Sequence, residues 1–421
     1  MLLDHYKNHV QNLPNADQRM AALTRLDALG MPTKRMEDWR YTDLKALTKK
    51  DYVPATSNSA DAGQSASPFD AAALEGVAAT ITLVNGELAK GTDIAALSDL
   101  GLVVETTTDG ASVSHDRFDL DSLSLMNQAL AAGTLSLRVP AGKDIGTIHI
   151  QHHIACADLE TLQNRQVIMV EADAKATLLH EIDATTSNGW CHTETLVDVA
   201  AGAELHQVHI IRGSSAGFLS LTEQAVVAGG TYGNHTVAQG IGSGRHRVEV
   251  HLTDKNSQFD ARGSSLVNTS ENFETLTRVY HTVPEAQCDQ VFKNVVAKQG
   301  TATFQGRIRV EKDAQLTNAD MASKNLLLDR TAEANIKPEL LIFADDVKCS
   351  HGATVGELDE KALFYLQQRG IPYEEAKAIM VRAFLGDVVE DMPLSHGLKD
   401  ALMISIDQWM GNAISDVAAT L

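Results

Sequence analysis

The chain has 421 residues, of which 44% are hydrophobic and 5% aromatic, and it carries 35 basic against 55 acidic side chains. This hydrophobic content excludes global disorder, and the net charge of −20 argues against nucleic acid as a partner, because the chain has no overall attraction for phosphate backbones. The low aromatic content, together with abundant Ala, Gly, Thr and Val, favours a β-rich solenoid over a core of large aromatic side chains.

Cysteine usage and the N-terminus indicate where the protein works. The cysteines Cys156, Cys191, Cys288 and Cys349 are widely scattered and form no Cys-x-x-Cys pair, which fits a reducing compartment. The N-terminus has no apolar stretch of signal-peptide length, and no run approaches the roughly 18 apolar residues of a membrane span. We therefore expect a cytoplasmic chain with no membrane association, in which Cys156, Cys191 and Cys288 are structural.

Residues 1–54 are predicted to form an N-terminal helical segment. The apolar residues that recur at helical spacing are Met20, Leu23, Leu26 and Leu29. Gly30 and then Pro32 end this helix. A second apolar patch, which we expect to dock onto the main body, consists of Trp39, Tyr41, Leu44 and Leu47. Residues 55–68 are small and polar and are predicted to be a flexible linker or surface loop.

Residues 69–356 are predicted to form a β core. Two runs, 245–252 and 304–311, alternate between apolar and polar residues and are predicted to be half-buried strands. In the first, the alternation puts His246 on the same face as Val248, Val250 and Leu252.

A repeat supports a solenoid. Leu178, Leu205, Tyr232 and Phe259 follow one another at intervals of 27 residues, and the register is lost after Phe259. A fixed period of this size without a helical pattern predicts coils that stack and bury a common inward stripe.

Residues 357–421 are predicted to form a C-terminal helical domain. Asp359 is expected to cap a helix that runs through Arg369 to Gly370, and Pro372 opens a second helix. The stripe of the second helix is Ala376, Ile379, Met380, Ala383, Phe384 and Val388. A third helix follows, with Leu398, Leu402, Ile406 and Trp409 on one side.

The candidate site is the pair Cys349 and His351, which precedes a predicted turn containing Gly352 and Gly356. In an extended strand, residues two apart point to the same side, roughly 7 Å apart. A thiolate and an imidazole on one face suit a soft or borderline metal such as iron, but iron–sulfur clusters usually need about four ligands. From spacing alone, a buried apolar cysteine beside a hydrogen-bonded histidine is the commoner meaning of such a pair.

Several common catalytic motifs are missing from the sequence. There is no phosphate-binding loop of the G-x-x-x-x-G-K-[ST] type, no G-x-S-x-G elbow and no H-E-x-x-H motif, so the chain is not expected to be an enzyme or to hydrolyse ATP. Histidines cluster at 149–153 and at 206–209, and Cys191 adjoins His192. His206 and His209 differ by three positions and should face opposite ways on a strand, so we interpret these clusters as structural.

Two long strings resemble one family. The string ADDVKCSHGATVG (344–356) resembles the C-terminal signature of the SufB/SufD family, whose members are scaffolds of the SUF iron–sulfur cluster assembly machinery. Because it contains Gly352, the string looks like the SufD branch of the family rather than the SufB branch. GMPTKRMEDWRYTDL (30–44) is similar to the N-terminal motif of SufD proteins. The resemblance implies a right-handed parallel β-helix core flanked by helical segments, and a scaffold that pairs with a SufB-like paralogue and a SufC-like ABC ATPase. For the chain alone, a homodimer is the alternative assembly.

The resemblance also implies a site. Nascent clusters would assemble at the junction of the two paralogues, where Cys349 and His351 would be the metal ligands from this chain. The ATPase would dock on the C-terminal helices, at Ile379, Met380, Ala383 and Phe384. A reduced flavin is associated with complexes of this family, but no flavin motif occurs in the chain.

Two alternatives stay open at the level of sequence. The first is a β-helical polysaccharide lyase or hydrolase, which would need converging acids, or a base with calcium ligands, in an aromatic-lined groove. The second is a structural solenoid adaptor in which Cys349 and His351 are inert.

Overall fold

Strands dominate the middle of the chain and helices its two ends. The computed structural model describes residues 2–45, 47–55, 67–108, 118 and 120–418. The strands of its first half are β1 (Val53–Pro54), β2 (Ala79–Val84), β3 (Glu87–Leu88), β4 (Val103–Thr107), β5 (Thr134–Val139), β6 (Asp144–His153), β7 (Glu160–Val170), β8 (Lys175–Asp183), β9 (Trp190–Val199) and β10 (Glu204–Arg212). Those of the second half are β11 (Phe218–Ala228), β12 (Thr231–Gln239), β13 (Ser243–Asp254), β14 (Gln258–Val267), β15 (Asn272–His281), β16 (Gln287–Val296), β17 (Thr301–Val310), β18 (Asn318–Leu327), β19 (Glu333–Ile342) and β20 (Lys348–Glu357). The helices are α1 (Leu2–Val10), α2 (Ala16–Leu29), α3 (Ile94–Leu100), α4 (Ser122–Leu130), α5 (Glu360–Gln368), α6 (Tyr373–Glu390) and α7 (His396–Ala418), with a 3₁₀ turn at Glu37–Trp39.

The strands form a parallel β-solenoid of about eight turns. Each turn adds one strand to each of two sheets, so that from β5 onward the odd-numbered strands follow one another in the first sheet and the even-numbered strands in the second. Antiparallel strands, β4 on β5 and β3 on β2, close one end. β19 and β20 are the last strands at the other end. The expected mainly β solenoid with helical segments at both ends is confirmed.

Small and branched apolar side chains fill the space between the two sheets. The largest buried cluster combines residues of the first sheet, such as Val197 and Val250, with residues of the second, such as Leu205, Tyr232 and Phe259. Alternation along each strand directs every second residue into this space. No coil has enough apolar surface to form such a core alone, which explains why stacking is obligatory.

The predicted repeat is confirmed for three of its four positions. Leu205 pairs in register with Tyr232, and Tyr232 with Phe259. Leu178, however, pairs with Gln207 and not with Leu205. The coil from β8 to β10 is two residues longer than the coil from β10 to β12. The stripe also continues where the sequence register is lost: Phe259 pairs with Cys288, Cys288 with Ala319 and Ala319 with Cys349. Turns of variable length hide this continuation from a search for a fixed period.

The outer faces of both sheets are covered over much of their area, which corrects one prediction. The strand β13 was expected to be half-buried, but Arg245, Arg247 and Glu249 on its outer face are all buried. The N-terminal segment covers Arg245, whose guanidinium lies 4.0 Å from the centre of the Trp39 ring and donates to the carbonyl of Asp38 at 2.6 Å. Arg247 instead pairs with Asp121, directly before α4, at 3.0 Å. The expected docking of this segment onto the main body is thereby confirmed.

The helical predictions differ in accuracy along the chain. α2 ends at Leu29, with Gly30 at φ 76°, as expected. Helical structure does not continue to residue 54, because turns and the 3₁₀ segment follow Pro32 and β1 begins at Val53. Asp359 caps α5 by accepting from the N–H groups of Lys361 and Ala362, and α6 starts directly after Pro372.

The C-terminal helices pack on the second sheet. The four residues of the predicted α7 stripe are all buried: Leu398, Leu402, Ile406 and Trp409. They join Val208, Val237 and Val295 from the outer face of the sheet in one cluster.

The predicted linker at 55–68 falls mostly outside the described residues. Among the described helices, none is long and apolar enough to cross a membrane.

Candidate functional site at the end of the solenoid

Cys349 and His351 lie on β20, the last strand of the second sheet. Cys349 pairs with Ala319 and His351 with Met321 of β18, so both side chains project from one face of an extended strand. Cys349 is half-buried against the apolar core, whereas His351 is exposed. The expected common face is confirmed, but Gly352 and Gly356 continue the strand instead of forming the predicted turn.

The surroundings of Cys349 disfavour a free thiolate. Burial, and secondarily the nearby Asp320 carboxylate, raise the pKa of the Cys349 thiol. Cys288 lies two strands back on the same stripe, about 10 Å away by strand spacing, and burial raises its pKa strongly. A bound cation at the rim would have the opposite effect, because it stabilises the thiolate.

The solenoid is open at this end. Among the described strands, β19 and β20 each have a paired neighbour on one side only. Apolar side chains are exposed here: Leu341 (40%), Ile342 (39%), Phe343 (55%) and Val355 (51%). Two long unpaired edges with exposed apolar groups form a surface that favours pairing with another chain.

The predicted docking residues lie on the outer side of α6. Ile379 is 41% exposed and Ala383 is exposed, whereas Met380 and Phe384 are half-buried. The predicted stripe is therefore rotated relative to the real packing face, which contains Val381, Leu385, Val388 and Val389. Further exposed aromatic side chains on α5 and α6 are Phe364 (62%), Tyr365 (56%) and Tyr373 (47%).

Among the described residues, neither predicted histidine cluster brings its own members together at one site. Cys156, Cys191 and Cys288 are buried and are not in disulfides. His149 contacts Glu181 at 3.0 Å, whereas His152 contacts His180 at 3.0 Å on the opposite face of β6. His206 and His209 also face opposite ways: the ring of His206 stacks on that of His235, and the ring of His209 on that of His180.

One convergent set of side chains of metal-ligand type was not predicted from the sequence. Within the described residues, the only group of three or more His, Cys, Asp or Glu side chains with converging ligand atoms is His209, Glu223 and His246. These residues belong to β10, β11 and β13. The alternation of β13 contained one signal, a histidine on an otherwise apolar face. Cys349 and His351 have no third ligand of this kind from the described chain.

Comparisons with known proteins agree with the geometry. Residues 152–384 match the SufBD core domain of the SUF system for iron–sulfur cluster assembly, and residues 3–150 match the SufBD N-terminal region. The chain is 28% identical to the iron–sulfur cluster assembly protein SufD of Escherichia coli over 408 residues, 94% of this chain and 92% of that protein. It is 24% identical to an iron–sulfur cluster assembly SufBD family protein of Synechocystis, over 90% of this chain and 88% of that protein. It is 25% identical to SufD of Bacillus subtilis, over 69% of this chain and 68% of that protein. The chain therefore belongs to the SufBD family of iron–sulfur cluster assembly proteins.

Proposed function

We propose that this chain is a non-catalytic scaffold subunit on which nascent iron–sulfur clusters assemble at the junction with a SufB-like paralogue. The observation that carries the proposal is the position of Cys349 and His351, two residues apart on the last described strand of the second sheet, which pairs with β18 on one side and leaves its other edge open. Two ligands of the kinds that iron accepts are present, and about two more are needed for a cluster. A related chain paired against the same edge would supply them.

The open end supports an interface of this kind. β19 and β20 offer free backbone N–H and C=O groups along two strands of ten residues each. A partner strand would satisfy these groups and cover Phe343 and Val355. His351 is exposed before such pairing and is the stronger candidate for a direct iron ligand, whereas half-buried Cys349 would bind iron or sulfur once a cation stabilises its thiolate.

We propose that the ATPase docks on the outer side of the C-terminal helices. Ile379 and Ala383 are exposed there, with Met380 and Phe384 beside them. The packing of α6 and α7 on the second sheet would transmit motion from a docked ATPase into the solenoid. The cluster is cargo of the complex, and no flavin site is proposed on this chain.

The test is cluster formation on the complex. We expect His351→Ala, co-expressed with a SufB-like chain and a SufC-like ATPase and purified without oxygen, to retain both partners. Its iron and sulfide content should fall about 10-fold or more, because a ligand is lost. His396→Ala is the matched control, since that side chain is 89% exposed and lies far along the chain on α7. Undiminished iron and sulfide in His351→Ala would refute the proposed site.

A further inference from the structure

Glu223 differs from every other buried acid of the described chain. It is 1% exposed and lies between the two sheets, on β11. The other buried acids each have an arginine within 4 Å, and they are Glu181, Asp183, Glu194, Glu249 and Glu274. Among the described residues, the only cationic or ionisable nitrogen partners of Glu223 are the imidazoles of His209 and His246. A buried carboxylate without a cation is costly, so a bound positive charge would stabilise this position.

The three side chains have the geometry of a metal site. Glu223 Oε1 lies 3.3 Å from His209 Nε2 and 2.8 Å from His246 Nε2. Their ligand atoms all lie within 4.8 Å of one another. Around an ion with bonds of about 2.0–2.2 Å, neighbouring ligand atoms are about 2.8–3.1 Å apart in octahedral geometry and about 3.3–3.6 Å apart in tetrahedral geometry. Two of the three separations therefore suit coordination without backbone movement.

A second layer of side chains holds the carboxylate in this orientation. Tyr232 and Gln207 each donate to Glu223 Oε2 at 2.7 Å, which leaves Oε1 directed at the imidazoles. Asn234 donates to the Tyr232 hydroxyl at 3.0 Å, and Thr236 Oγ1 lies 3.2 Å from His246 Nδ1. Outer partners of this kind fix the orientation of ligands in metal sites.

We propose that His209, Glu223 and His246 form a binding site for a divalent first-row transition metal ion inside the solenoid. Two imidazoles and one carboxylate are the protein ligands of many zinc and non-haem iron(II) sites. The ion would neutralise Glu223 and join β10, β11 and β13, and therefore both sheets. The site is distinct from the rim and does not rest on the proposed function, because five strand spacings, about 24 Å, separate β10 from β20 in their sheet.

Metal binding is testable on the full-length chain. Because the site is enclosed, the ion should enter as the chain folds. The chain is unfolded in denaturant with a chelator, desalted, and refolded with one equivalent of Co²⁺, Zn²⁺ or, without oxygen, Fe²⁺. We expect about one retained equivalent, visible ligand-field bands for Co²⁺, and a higher midpoint of thermal unfolding than in the metal-free refolded chain.

Substitutions distinguish binding at this specific site from nonspecific binding of metal ions elsewhere on the chain. Glu223→Gln and His246→Gln should retain about 10-fold less ion or lower still, and Tyr232→Phe, which keeps all three ligands, should bind about 10-fold more weakly. The control is His281→Gln, since His281 is fully buried and pairs in register with core residue Leu252. This control should bind as the wild type does, as should the double variant Cys349→Ala/His351→Ala, which tests the rim separately.

Two results would overturn the proposal. One is a wild-type chain that refolds completely, by circular dichroism, and retains no ion. The other is retention that Glu223→Gln and Tyr232→Phe leave unchanged, which would assign the ion to other groups.

Discussion

At Arg245, one buried guanidinium connects the N-terminal segment to two strands of the first sheet. It lies against the Trp39 ring, donates to Asp38 and pairs with Glu274 of β15 at 3.1 Å. Arg245 and Glu274 are both essentially inaccessible. A buried pair of this kind is expensive to break from one side, because the remaining charge keeps its desolvation cost.

We predict that Arg245→Met lowers the free energy of unfolding by about 3–5 kcal/mol, because Glu274 is left unpaired. The double variant Arg245→Met/Glu274→Gln should recover much of this loss. The control is Arg138→Met, which removes an exposed pair with Glu171 and should cost about 1 kcal/mol or less. Denaturant unfolding measures all three variants; equal losses for Arg245→Met and Arg138→Met would contradict the prediction.

The buried carboxyl group of Glu271 makes the stability of the protein depend on pH. Burial raises its pKa to about 7, although its carboxylate accepts a hydrogen bond from the N–H of Asn268. The pKa of an unfolded glutamate is about 4.3, so folding favours the protonated form. The resulting stabilisation is complete below the unfolded pKa and is lost as the pH rises through about 7.

We therefore expect Glu271→Gln, which stays neutral, to gain stability relative to the wild type as the pH rises. Thermal unfolding at pH 5 and pH 8 measures the difference between variant and wild type. The prediction is wrong if that difference is the same at both pH values.

At the scale of elements, α6 shows how a helix can present two different apolar faces. Leu385 is fully buried in the cluster that joins the C-terminal helices to the second sheet. Ile379, on the same helix, is 41% exposed. Both residues are apolar, so composition cannot separate the packing face from the exposed face.

We predict that Leu385→Ala costs about 2–5 kcal/mol by leaving a cavity, and that it speeds hydrogen exchange in α6 and α7. Ile379→Ala should stay within about 0.5 kcal/mol, since this side chain is 41% exposed and lies outside the packing face. If the proposed ATPase docks here, its binding should show the opposite order, with Ile379→Ala the more damaging. If Ile379→Ala destabilised the chain as much as Leu385→Ala, the assignment of faces would fail.

At the scale of the whole molecule, the two ends of the solenoid differ. Antiparallel strands terminate the first end, where β3 lies on β2 and β4 on β5, whereas β19 and β20 leave parallel edges open. Addition of a further parallel coil is therefore favoured at the β19–β20 end. This asymmetry favours one partner in a defined orientation over an open filament.

We predict that Val355→Asp on β20 prevents pairing with a related chain, because it places a charge in the apolar edge. The stability of the chain alone should change by about 0.5 kcal/mol or less, since Val355 is 51% exposed. Ile94→Asp, at the start of α3, is the control with comparable exposure (41%). Light scattering of the co-purified chains measures the assembly; a pair that survives Val355→Asp would exclude this edge.

Features that depend on near neighbours along the chain can be predicted from the amino-acid sequence alone. The spacing of Leu398, Leu402, Ile406 and Trp409 predicted one face of α7, and the chemistry of Asp359 predicted a helix cap. The two-residue spacing placed Cys349 and His351 on one face as soon as the segment was known to be a strand. These properties follow from backbone geometry over one or two turns, which the local sequence encodes.

Tertiary structure decided the features that depend on stacking. Which residues share a stripe depends on the length of each turn. For this reason Leu178 does not keep the predicted register, and Cys349 belongs to the observed stripe. Arg245 is buried because a segment some 200 residues earlier covers it. His209, Glu223 and His246 converge because two sheets face each other across the interior, and no spacing along the chain records which strands meet there.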